Sequence, residues 1–187
     1  DAPDYLFIPV GNAGNITAYW RGFSEYSNVG KATRRPHMMG FQADGAAPIV
    51  KGEPIAEPRT VASAIKVGNP ASWKEALSAR DQSSGIIDSV SDEEILTAYK
   101  LLASKEGIFG EPASAASLAG VAKLARGGMD FRDKRIVCII TGTGLKDPEL
   151  ASQQADVPLQ ELPLELGAME SALEEIVQGS LSLGPKV

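Results

Sequence analysis

YLFIPVGNAGNITA, residues 5–18, places an apolar run directly before a loop of glycines and asparagines. The run at residues 5–10 is short, aromatic and β-branched, which favours a buried strand over a helix. Gly11 and Gly14 permit close approaches that a side chain would block, and a helical pattern follows from about Thr17. Because the first N–H groups of a helix have no partner inside it, this strand, turn and helix start predict an anion-binding cradle.

The loop by itself does not identify a ligand. Its spacing matches neither a P-loop, since no lysine follows Gly14, nor the GxGxxG pattern of dinucleotide-binding folds. Most glycine and asparagine turns between a strand and a helix are only turns, so a purely structural loop stays open as the alternative.

Composition and charge argue against several classes of protein. The 187 residues carry a formal net charge of −6 and are 43% hydrophobic and 22% charged, which is typical of a globular protein and unfavourable for nucleic acid or acidic membranes. No apolar run approaches the roughly 18 residues of a membrane span, and the first residues do not resemble a signal peptide. We therefore expect a cytoplasmic protein with neither a membrane nor a nucleic-acid partner.

The single histidine and the single cysteine leave little metal or redox chemistry. Cys138 lies inside the apolar run IVCII and is interpreted as a small buried hydrophobe, and no intramolecular disulfide is possible. His37 precedes two methionines on a predicted strand and is interpreted as a hydrogen-bonded structural residue. A His/Cys metal site is excluded by these counts, and no clustered acidic motif indicates Mg²⁺, so we expect no metal.

Predicted strands alternate with helical patterns along the chain. The strands lie at residues 5–10, 36–43, 85–90, 108–111 and 135–140, and the helical patterns between them include 46–50, 73–80, 92–102 and 112–125. This alternation predicts an α/β domain layered about a mainly parallel sheet with helices on both faces. Ser72 with Glu75, and Ser91 with Glu94, are predicted capping boxes at two of the helix starts.

The last part of the chain has a different character. Residues 149–162 are polar and contain prolines, which predicts a loop, and residues 169–177 have a helical pattern. We expect one domain at residues 1–148 and a carboxyl-terminal tail with one helix at 149–187. The chain begins at Asp1 and enters a core strand within a few residues, so we also expect it to be part of a longer protein.

Four predicted loops follow the carboxyl ends of strands, where ligands of parallel sheets bind. They are residues 11–15, 63–69, 111–115 and 141–144. The first is the anion cradle, the next two offer walls of small residues, and the last carries the hydroxyl of Thr141. Together they predict a site for a flat aromatic ring that carries a phosphate.

Four runs, in this order along the chain, closely resemble threonine synthase, a family of pyridoxal 5′-phosphate (PLP) enzymes: PVGNAGNITAYWRGF, IKVGNPASW, GIFGEPASAAS and IITGTGLKDP. The resemblance is to the shorter bacterial form, extends over roughly residues 5–148, and is most specific in the first and last runs. It implies that residues 1–148 form the cofactor-binding α/β domain of a larger enzyme, the large-domain portion of PLP fold type II.

The resemblance also implies roles for individual residues. The phosphate of PLP would be bound by Gly11, Asn12, Ala13, Gly14 and Asn15. Asn12 would also face the phosphate of the substrate. Thr141 would offer its hydroxyl to the pyridine nitrogen, and such a neutral partner would leave that nitrogen largely unprotonated. The ring or the substrate would be lined by Ser63, Ala64, Ile65, Glu111 and Ala113.

The implied reaction converts O-phospho-L-homoserine and water to L-threonine and phosphate. In this family the lysine that forms an imine with PLP lies upstream of the glycine and asparagine loop, in a motif that this chain lacks. Lysines do occur elsewhere in the chain, in other contexts, at Lys31, Lys51, Lys66 and Lys146. We therefore expect no catalytic residue in this chain and no activity from it alone. Relatives often carry histidine where this sequence has Thr143, so a role for that residue stays open.

Two other functions stay open. A related PLP lyase of the serine/threonine dehydratase or cysteine synthase type would use a similar loop, although those enzymes usually have a run of glycines rather than GNAGN. The missing lysine also suits a non-catalytic α/β fragment that binds a phosphorylated ligand. We expect a homodimer, because a piece of a larger enzyme exposes apolar surface that must be covered.

Overall fold

The computed structural model describes residues 1–155 and 164–182. Two compact units are present, Asp1–Pro148 and Glu149–Val187. The first unit contains a four-stranded sheet with the strand order β3-β2-β1-β4, and every neighbouring pair is parallel. The strands are β1 (Tyr5–Pro9), β2 (His37–Ala43), β3 (Ile86–Val90) and β4 (Ile136–Cys138). The predicted α/β domain with a parallel sheet is confirmed.

Strand β1 is the central element of this sheet. It pairs with β2 on one side, where Tyr5 lies opposite His37, and with β4 on the other, where Tyr5 lies opposite Ile136. Leu6, Phe7 and Ile8 are at most 2% exposed. A parallel strand covered on both faces needs a continuous apolar sequence rather than an alternating one, which explains the run at residues 5–10.

Helices connect the strands and continue into the second unit. They are α1 (Gly14–Asn28), α2 (Pro48–Lys51), α3 (Trp73–Gln82), α4 (Asp92–Glu106), α5 (Pro112–Arg126), α6 (Pro148–Gln154) and α7 (Leu166–Ser182). Short 3₁₀ helices occupy Ser63–Ile65 and Gly144–Lys146. Helix α1 begins at Gly14, three residues before the predicted Thr17, so the loop between β1 and α1 is shorter than the sequence indicated.

The helices cover both faces of the sheet, as predicted. On one face, Phe7 and Phe41 stack with ring centroids 5.8 Å apart and pack with buried residues of α4 and α5. On the other face, Leu6, Ile8 and Met38 pack with α1 and α3. Alternate residues of β1 therefore point to two separate apolar clusters, one on each side of the sheet.

The strand predicted at residues 108–111 is wrong. The N–H of Ile108 donates to the carbonyl of Leu102, beyond a left-handed Gly107 that ends α4, and Glu111 is already the residue that precedes α5. Too few residues remain between these two helix ends for a ladder. Gly110 instead forms a single antiparallel bridge with Thr143.

Two further predictions about helix ends had different outcomes. The capping box at Ser91 and Glu94 is confirmed, since the Ser91 hydroxyl accepts from the Glu94 N–H and the Glu94 carboxylate accepts from the Ser91 N–H. The box at Ser72 is wrong, because the Ser72 side chain makes no cap hydrogen bond. Its backbone N–H donates instead to the carbonyl of Asn12, which ties the start of α3 to the loop after β1.

In the tail, the predicted single helix is also corrected. The pattern at 169–177 lies within α7, but α6 occupies residues expected to form a loop. Pro148 is the first residue of α6, a position where the fixed φ of proline is compatible with a helix and its missing N–H costs nothing. Residues 156–163 of the predicted loop lie outside the described residues.

The interpretation of His37 as a hydrogen-bonded residue agrees with the structure, whereas Cys138, predicted to be buried, is only partly buried. The Nδ1 of His37 lies 2.8 Å from the carbonyl oxygen of Ser83, and its ring stacks on Tyr5 with centroids 5.3 Å apart. Cys138 packs against the apolar cluster that contains Phe7, and burial raises the pKa of its thiol to about 11. The thiol is therefore protonated at ordinary pH, which is its less nucleophilic form.

Residues 1–155 and 164–182 contain neither a candidate membrane span nor a metal-binding cluster. No helix there is both long and apolar enough to cross a membrane. Within the same ranges, no group of three or more His, Cys, Asp or Glu side chains could hold a metal ion.

Helix α5 packs on the sheet through an inward face of small residues. Ala113, Ala115, Ala116 and Ala119 are each at most 1% exposed. A Cβ at Gly120 would overlap the ring of Phe41 on β2. The alanine and serine content of α5 therefore sets the distance between this helix and the sheet.

We expect Gly120→Ala to lower the free energy of unfolding by about 1–3 kcal/mol, because the added methyl group overpacks the contact with Phe41. The control is Gly22→Ala on α1, where an added Cβ meets nothing within 4 Å. That change should stabilise by up to about 1 kcal/mol through helix propensity alone. Urea unfolding of both variants measures the difference, and equal stabilisation by both would contradict the proposed close contact.

Candidate active site

A cavity of about 270 Å³ lies at the carboxyl ends of β1 and β4. Its lining comes from the loop after β1, the 3₁₀ helix at Ser63–Ile65, the start of α5 and the loop after β4. The lining residues are Pro9, Gly11, Asn12, Ala13, Gly14, Asn15, Ala64, Ile65, Glu111 and Thr141. The structure thus brings together nine residues that the sequence proposed for the site. Ser63 and Ala113 do not line the cavity, and Ala113 is buried in the core instead.

The loop after β1 presents its backbone to this cavity. No backbone N–H of residues 11–15 donates to a protein acceptor within residues 1–155. Ala13 precedes α1 with φ 65°, a left-handed conformation that is uncommon for alanine and often marks a functional loop. Helix α1 carries neither a capping side chain nor an acidic residue in its first turn, so its positive end stays available to an anion.

The surroundings of Gly11 leave no room for a side chain, which explains why the loop has glycine at this position. A Cβ at this position would lie 3.0 Å from the carbonyl oxygen of Ala64 and 3.0 Å from Cα of Ile65. The absence of a side chain therefore lets the 3₁₀ helix close one wall of the cavity. Gly14 has no comparable constraint, since its added Cβ would meet only the Ser72 hydroxyl at 4.0 Å.

The two asparagine side chains hold the loop in shape. The Asn15 side chain donates to the carbonyl of Pro9 at 2.7 Å and accepts from the N–H of Ile16 at 2.7 Å. The Asn12 side chain accepts from the N–H of Ala71 at 2.7 Å, while its amide nitrogen has no protein partner within residues 1–155. The Asn15 amide already donates one hydrogen to Pro9, whereas both hydrogens of the Asn12 amide lack a protein acceptor within residues 1–155.

On the opposite side of the cavity, Thr141 is held by two polar side chains from the start of α5. Its hydroxyl lies 3.0 Å from an oxygen of Glu111 and 3.0 Å from the hydroxyl of Ser114. The Ser114 oxygen also accepts from the backbone N–H groups of Thr141 and Gly142, at 2.9 and 3.1 Å. Ser114 is fully buried; it lies in the predicted segment 111–115, but no individual role was predicted for it.

The glycines after Thr141 make room for these contacts. A Cβ at Gly142 would overlap the carboxyl group of Glu111, and one at Gly144 would overlap the ring of Phe109. The backbone N–H of Glu111 donates to the Gly142 carbonyl at 2.9 Å. Thr143, whose role the sequence left open, accepts from the N–H of Leu145 at 3.4 Å at the start of the second 3₁₀ helix.

A parallel α/β sheet with an open amide loop after its central strand is characteristic of enzymes that bind phosphorylated ligands. Comparison with known families specifies the class. The model of the family described as "Pyridoxal-phosphate dependent enzyme" matches residues 1–142, and the chain belongs to this family.

Curated relatives narrow the resemblance to one enzyme. The chain is 56% identical over 162 residues to a threonine synthase of Halalkalibacterium halodurans, covering 87% of this chain and 46% of that protein. It is 57% identical over 159 residues to a threonine synthase of Bacillus sp. (strain ULM1), covering 84% and 45%. A Methanocaldococcus jannaschii threonine synthase is 47% identical over 182 residues, covering 93% and 45%. The chain therefore spans about half the length of the curated relatives it matches.

Solved structures with the same fold include two threonine deaminases. The crystal structure of a threonine deaminase from T.th. superposes with a TM-score of 0.58 at 23% identity and covers 78% of this chain and 51% of that one. The processed form of isoform 2 from Solanum lycopersicum has a TM-score of 0.64 at 19% identity, with 83% and 45% covered. At these identities the similarity concerns the fold alone.

We expect Asn15→Ala to lower the free energy of unfolding by about 1–2 kcal/mol, because it removes the hydrogen bonds of the Asn15 side chain to the Ile16 N–H and the Pro9 carbonyl. Asn28→Ala, at the exposed last turn of the same helix, is the matched control and should change stability by less than about 0.5 kcal/mol. Denaturant unfolding monitored by circular dichroism compares them. If Asn15→Ala were as mild as the control, the loop would not depend on this side chain.

Proposed function

We propose that this chain is the cofactor-binding portion of a threonine synthase, which converts O-phospho-L-homoserine and water to L-threonine and phosphate with PLP. The observation that carries the proposal is the cavity that joins unpartnered loop amides to Thr141 and Glu111. The identity of 56–57% with curated threonine synthases supports this reaction in particular.

The residues present fit PLP. The backbone N–H groups of residues 11–15 have no protein acceptor and lie at the positive end of α1, as a phosphate requires. No lysine or arginine lines the cavity, so phosphate affinity would come from these converging hydrogen bonds and the helix end. Ala64 and Ile65 offer an apolar wall for a ring, and Thr141 offers a hydroxyl for a ring heteroatom. The cofactor roles of these residues are part of the proposal.

When bound, PLP supplies the stabilisation of negative charge at substrate carbon atoms on which such a lyase depends. The residues of this chain would bind and orient the cofactor and the substrate. The amide loop would fix the phosphate, the Asn12 amide would donate to the substrate's own phosphate, and Thr141 would hold the ring edge. Fixed orientation of this kind is worth a large part of a catalytic barrier, since it replaces a random encounter by a bound geometry.

We further propose that this chain alone does not complete the reaction, because the lysine that binds PLP covalently lies outside it. No lysine lines the cavity, and Lys146, which contacts the lining residue Glu111 at 3.6 Å, has a side chain that is 62% exposed. Borohydride reduction of the chain with PLP, followed by peptide mass spectrometry, should find no single lysine labelled stoichiometrically. Stoichiometric labelling of one lysine would contradict this.

The phosphate cradle is tested by titrating the chain with PLP and with pyridoxal, which lacks only the phosphate. Since each hydrogen bond to a charged group contributes about 1.5–3 kcal/mol, we expect pyridoxal to bind at least about a hundredfold more weakly. Adenosine monophosphate serves as a second probe. A preference for this nucleotide over PLP would instead support a non-catalytic phosphate-binding module.

The reaction is tested in a chimera, in which this chain replaces the matching segment of the Halalkalibacterium halodurans threonine synthase. We expect the chimera to release phosphate and L-threonine from O-phospho-L-homoserine. Thr141→Val in the chimera should lower the rate strongly, whereas Thr141→Ser, which keeps the hydroxyl, should lower it little. Formation of a keto acid from L-threonine or L-serine, without phosphate release, would support the dehydratase alternative that the shared fold leaves open.

A homodimer is also proposed. A groove of about 620 Å³ runs along α1 and is lined mostly by apolar residues, of which Tyr19 and Tyr26 are 41% and 59% exposed. Contiguous apolar surface of this kind usually meets a partner, and a second copy is the one we propose. Sedimentation equilibrium should find a dimer that Tyr26→Lys weakens. Val29→Lys, which changes an exposed residue outside the groove, should leave it intact; a monomeric wild-type chain would contradict the proposal.

A further inference from the structure

One wall of the candidate site belongs to a long connection between two helices. Ala64 and Ile65 line the cavity, and they lie in the chain that joins the end of α2 to the start of α3. Within residues 52–72, only the 3₁₀ helix Ser63–Ile65 has regular structure. Ordered connections of this length in a compact domain are usually functional. The position of this wall therefore depends on what holds the connection in place.

Asp92, the first residue of α4, holds the part of the connection that leads into the 3₁₀ helix. One oxygen of its carboxyl group lies 2.5 Å from the Thr60 hydroxyl, and the other accepts from the Val61 N–H at 3.1 Å. A backbone N–H can only donate, so the direction of the second contact is certain. Both oxygens of Asp92 are therefore bound to residues that lie 31 and 32 positions away in sequence.

A single turn of chain separates these contacts from the wall. The Thr60 hydroxyl oxygen accepts from the Ala62 N–H at 3.0 Å, and the Ala62 carbonyl accepts from the Ile65 N–H at 3.0 Å. Ala62 and Ile65 are buried in the apolar cluster that contains Phe7. A displacement of Thr60 would therefore be transmitted to Ile65 through two successive hydrogen bonds.

The wall in turn limits the space in the cavity. A Cβ at Gly11 would lie only 3.0 Å from the carbonyl oxygen of Ala64 and 3.0 Å from Cα of Ile65. The 3₁₀ helix and the amide loop after β1 therefore face each other closely. Because α4 and α5 pack in the same apolar cluster, Asp92 also fixes the wall relative to the helix that begins next to Glu111.

We propose that Asp92 is a positioning residue for the cofactor site. By holding Thr60 and Val61, it fixes the wall of Ala64 and Ile65 against which the ring of PLP would lie. This inference rests on the proposed function. Asp92 does not line the cavity, so it acts on the shape of the site and not on the reacting atoms.

The contact with the connection is tested first without a ligand, by amide hydrogen exchange of the chain. Asp92→Ala removes both contacts, and we expect the amides of residues 62–67 to exchange faster, whereas those of α1 keep their rates. Glu93→Ala is the matched control, since it removes an exposed carboxyl group from the same first turn of α4 and should change neither region. Unchanged exchange at residues 62–67 in Asp92→Ala would overturn the proposal.

Thr60→Val provides a second variant that leaves the start of α4 intact. It removes the hydroxyl that contacts Asp92, so we expect faster exchange at residues 62–67 here as well. In the Asp92→Ala background the same change should have a smaller effect, because one partner of the hydroxyl is already absent. If Asp92→Ala does not fold, Thr60→Val decides alone, and unchanged exchange in it contradicts the proposal.

The effect on the site is measured by titrating the folded variants with PLP and with pyridoxal. We expect Asp92→Ala to bind PLP about two- to thirtyfold more weakly, the range typical of residues that act on a site through intermediate contacts, and Glu93→Ala to bind it as the wild type does. The ratio of the PLP and pyridoxal affinities should stay constant, because the wall contacts the ring and not the phosphate. A merely structural role would lower stability and leave the affinity of the folded variant unchanged.

Rescue by a conservative variant completes the test. Asp92→Asn keeps a carbonyl oxygen for the Val61 N–H and places an amide next to the Thr60 oxygen, which has a second acceptor position. We expect it to recover most of the PLP affinity that Asp92→Ala loses. An affinity as low as that of Asp92→Ala would contradict a role through these two hydrogen bonds.

The outcomes separate this inference from the proposed function. Unchanged PLP affinity in Asp92→Ala overturns the positioning role and leaves the PLP site in place. If the wild-type chain binds no PLP, the proposed function fails, and the positioning of a PLP ring fails with it. The exchange experiment still shows in that case whether Asp92 holds the connection.

Discussion

The parallel pairing of β1 between β2 and β4 is the constraint on which the rest of the structure depends. Because all three strands run in the same direction, their carboxyl ends lie at one edge of the sheet, and so do the loops that follow them. The loop at residues 11–15 and Thr141 are about 130 residues apart in sequence, yet both line the same cavity. Neither loop would form a site if either strand were antiparallel.

That pairing requires both faces of β1 to be covered. Helices α4 and α5 cover one face and α1 and α3 the other, and the apolar sequence of β1 supplies side chains to both. The small residues of α5 let this helix approach the sheet closely, which also brings Ser114 and Glu111 to the loop after β4. Helix α5 therefore both packs against the core and positions residues of the candidate site.

Local sequence patterns predicted an element correctly where residues close together in sequence were enough to stabilise it. The run before Gly11, the capping box at Ser91 and the apolar strand around Cys138 each depend on neighbouring residues. Predictions of local structure were wrong where contacts with residues far away in sequence, or the ends of neighbouring helices, determined the conformation. Ser72 makes no side-chain cap, and its N–H donates to the distant carbonyl of Asn12. Residues 108–111 lie between the ends of two helices, α4 and α5, with too few residues for a strand. The contacts of Ser114 were not predicted, although the segment 111–115 was, because the partners of this serine lie 27 and 28 residues away in sequence.

The sequence by itself determined the class of fold, the position of the amide loop and the family, since strand and helix periodicity, glycine spacing and family motifs are all written in short contiguous stretches. Only the tertiary structure decided which of the proposed residues share a cavity, which groups the side chains of Asn12 and Asn15 bond to, and which side chains contact the Thr141 hydroxyl. These depend on hydrogen bonds between groups far apart in the chain, and their partners are chosen by packing rather than by sequence neighbours.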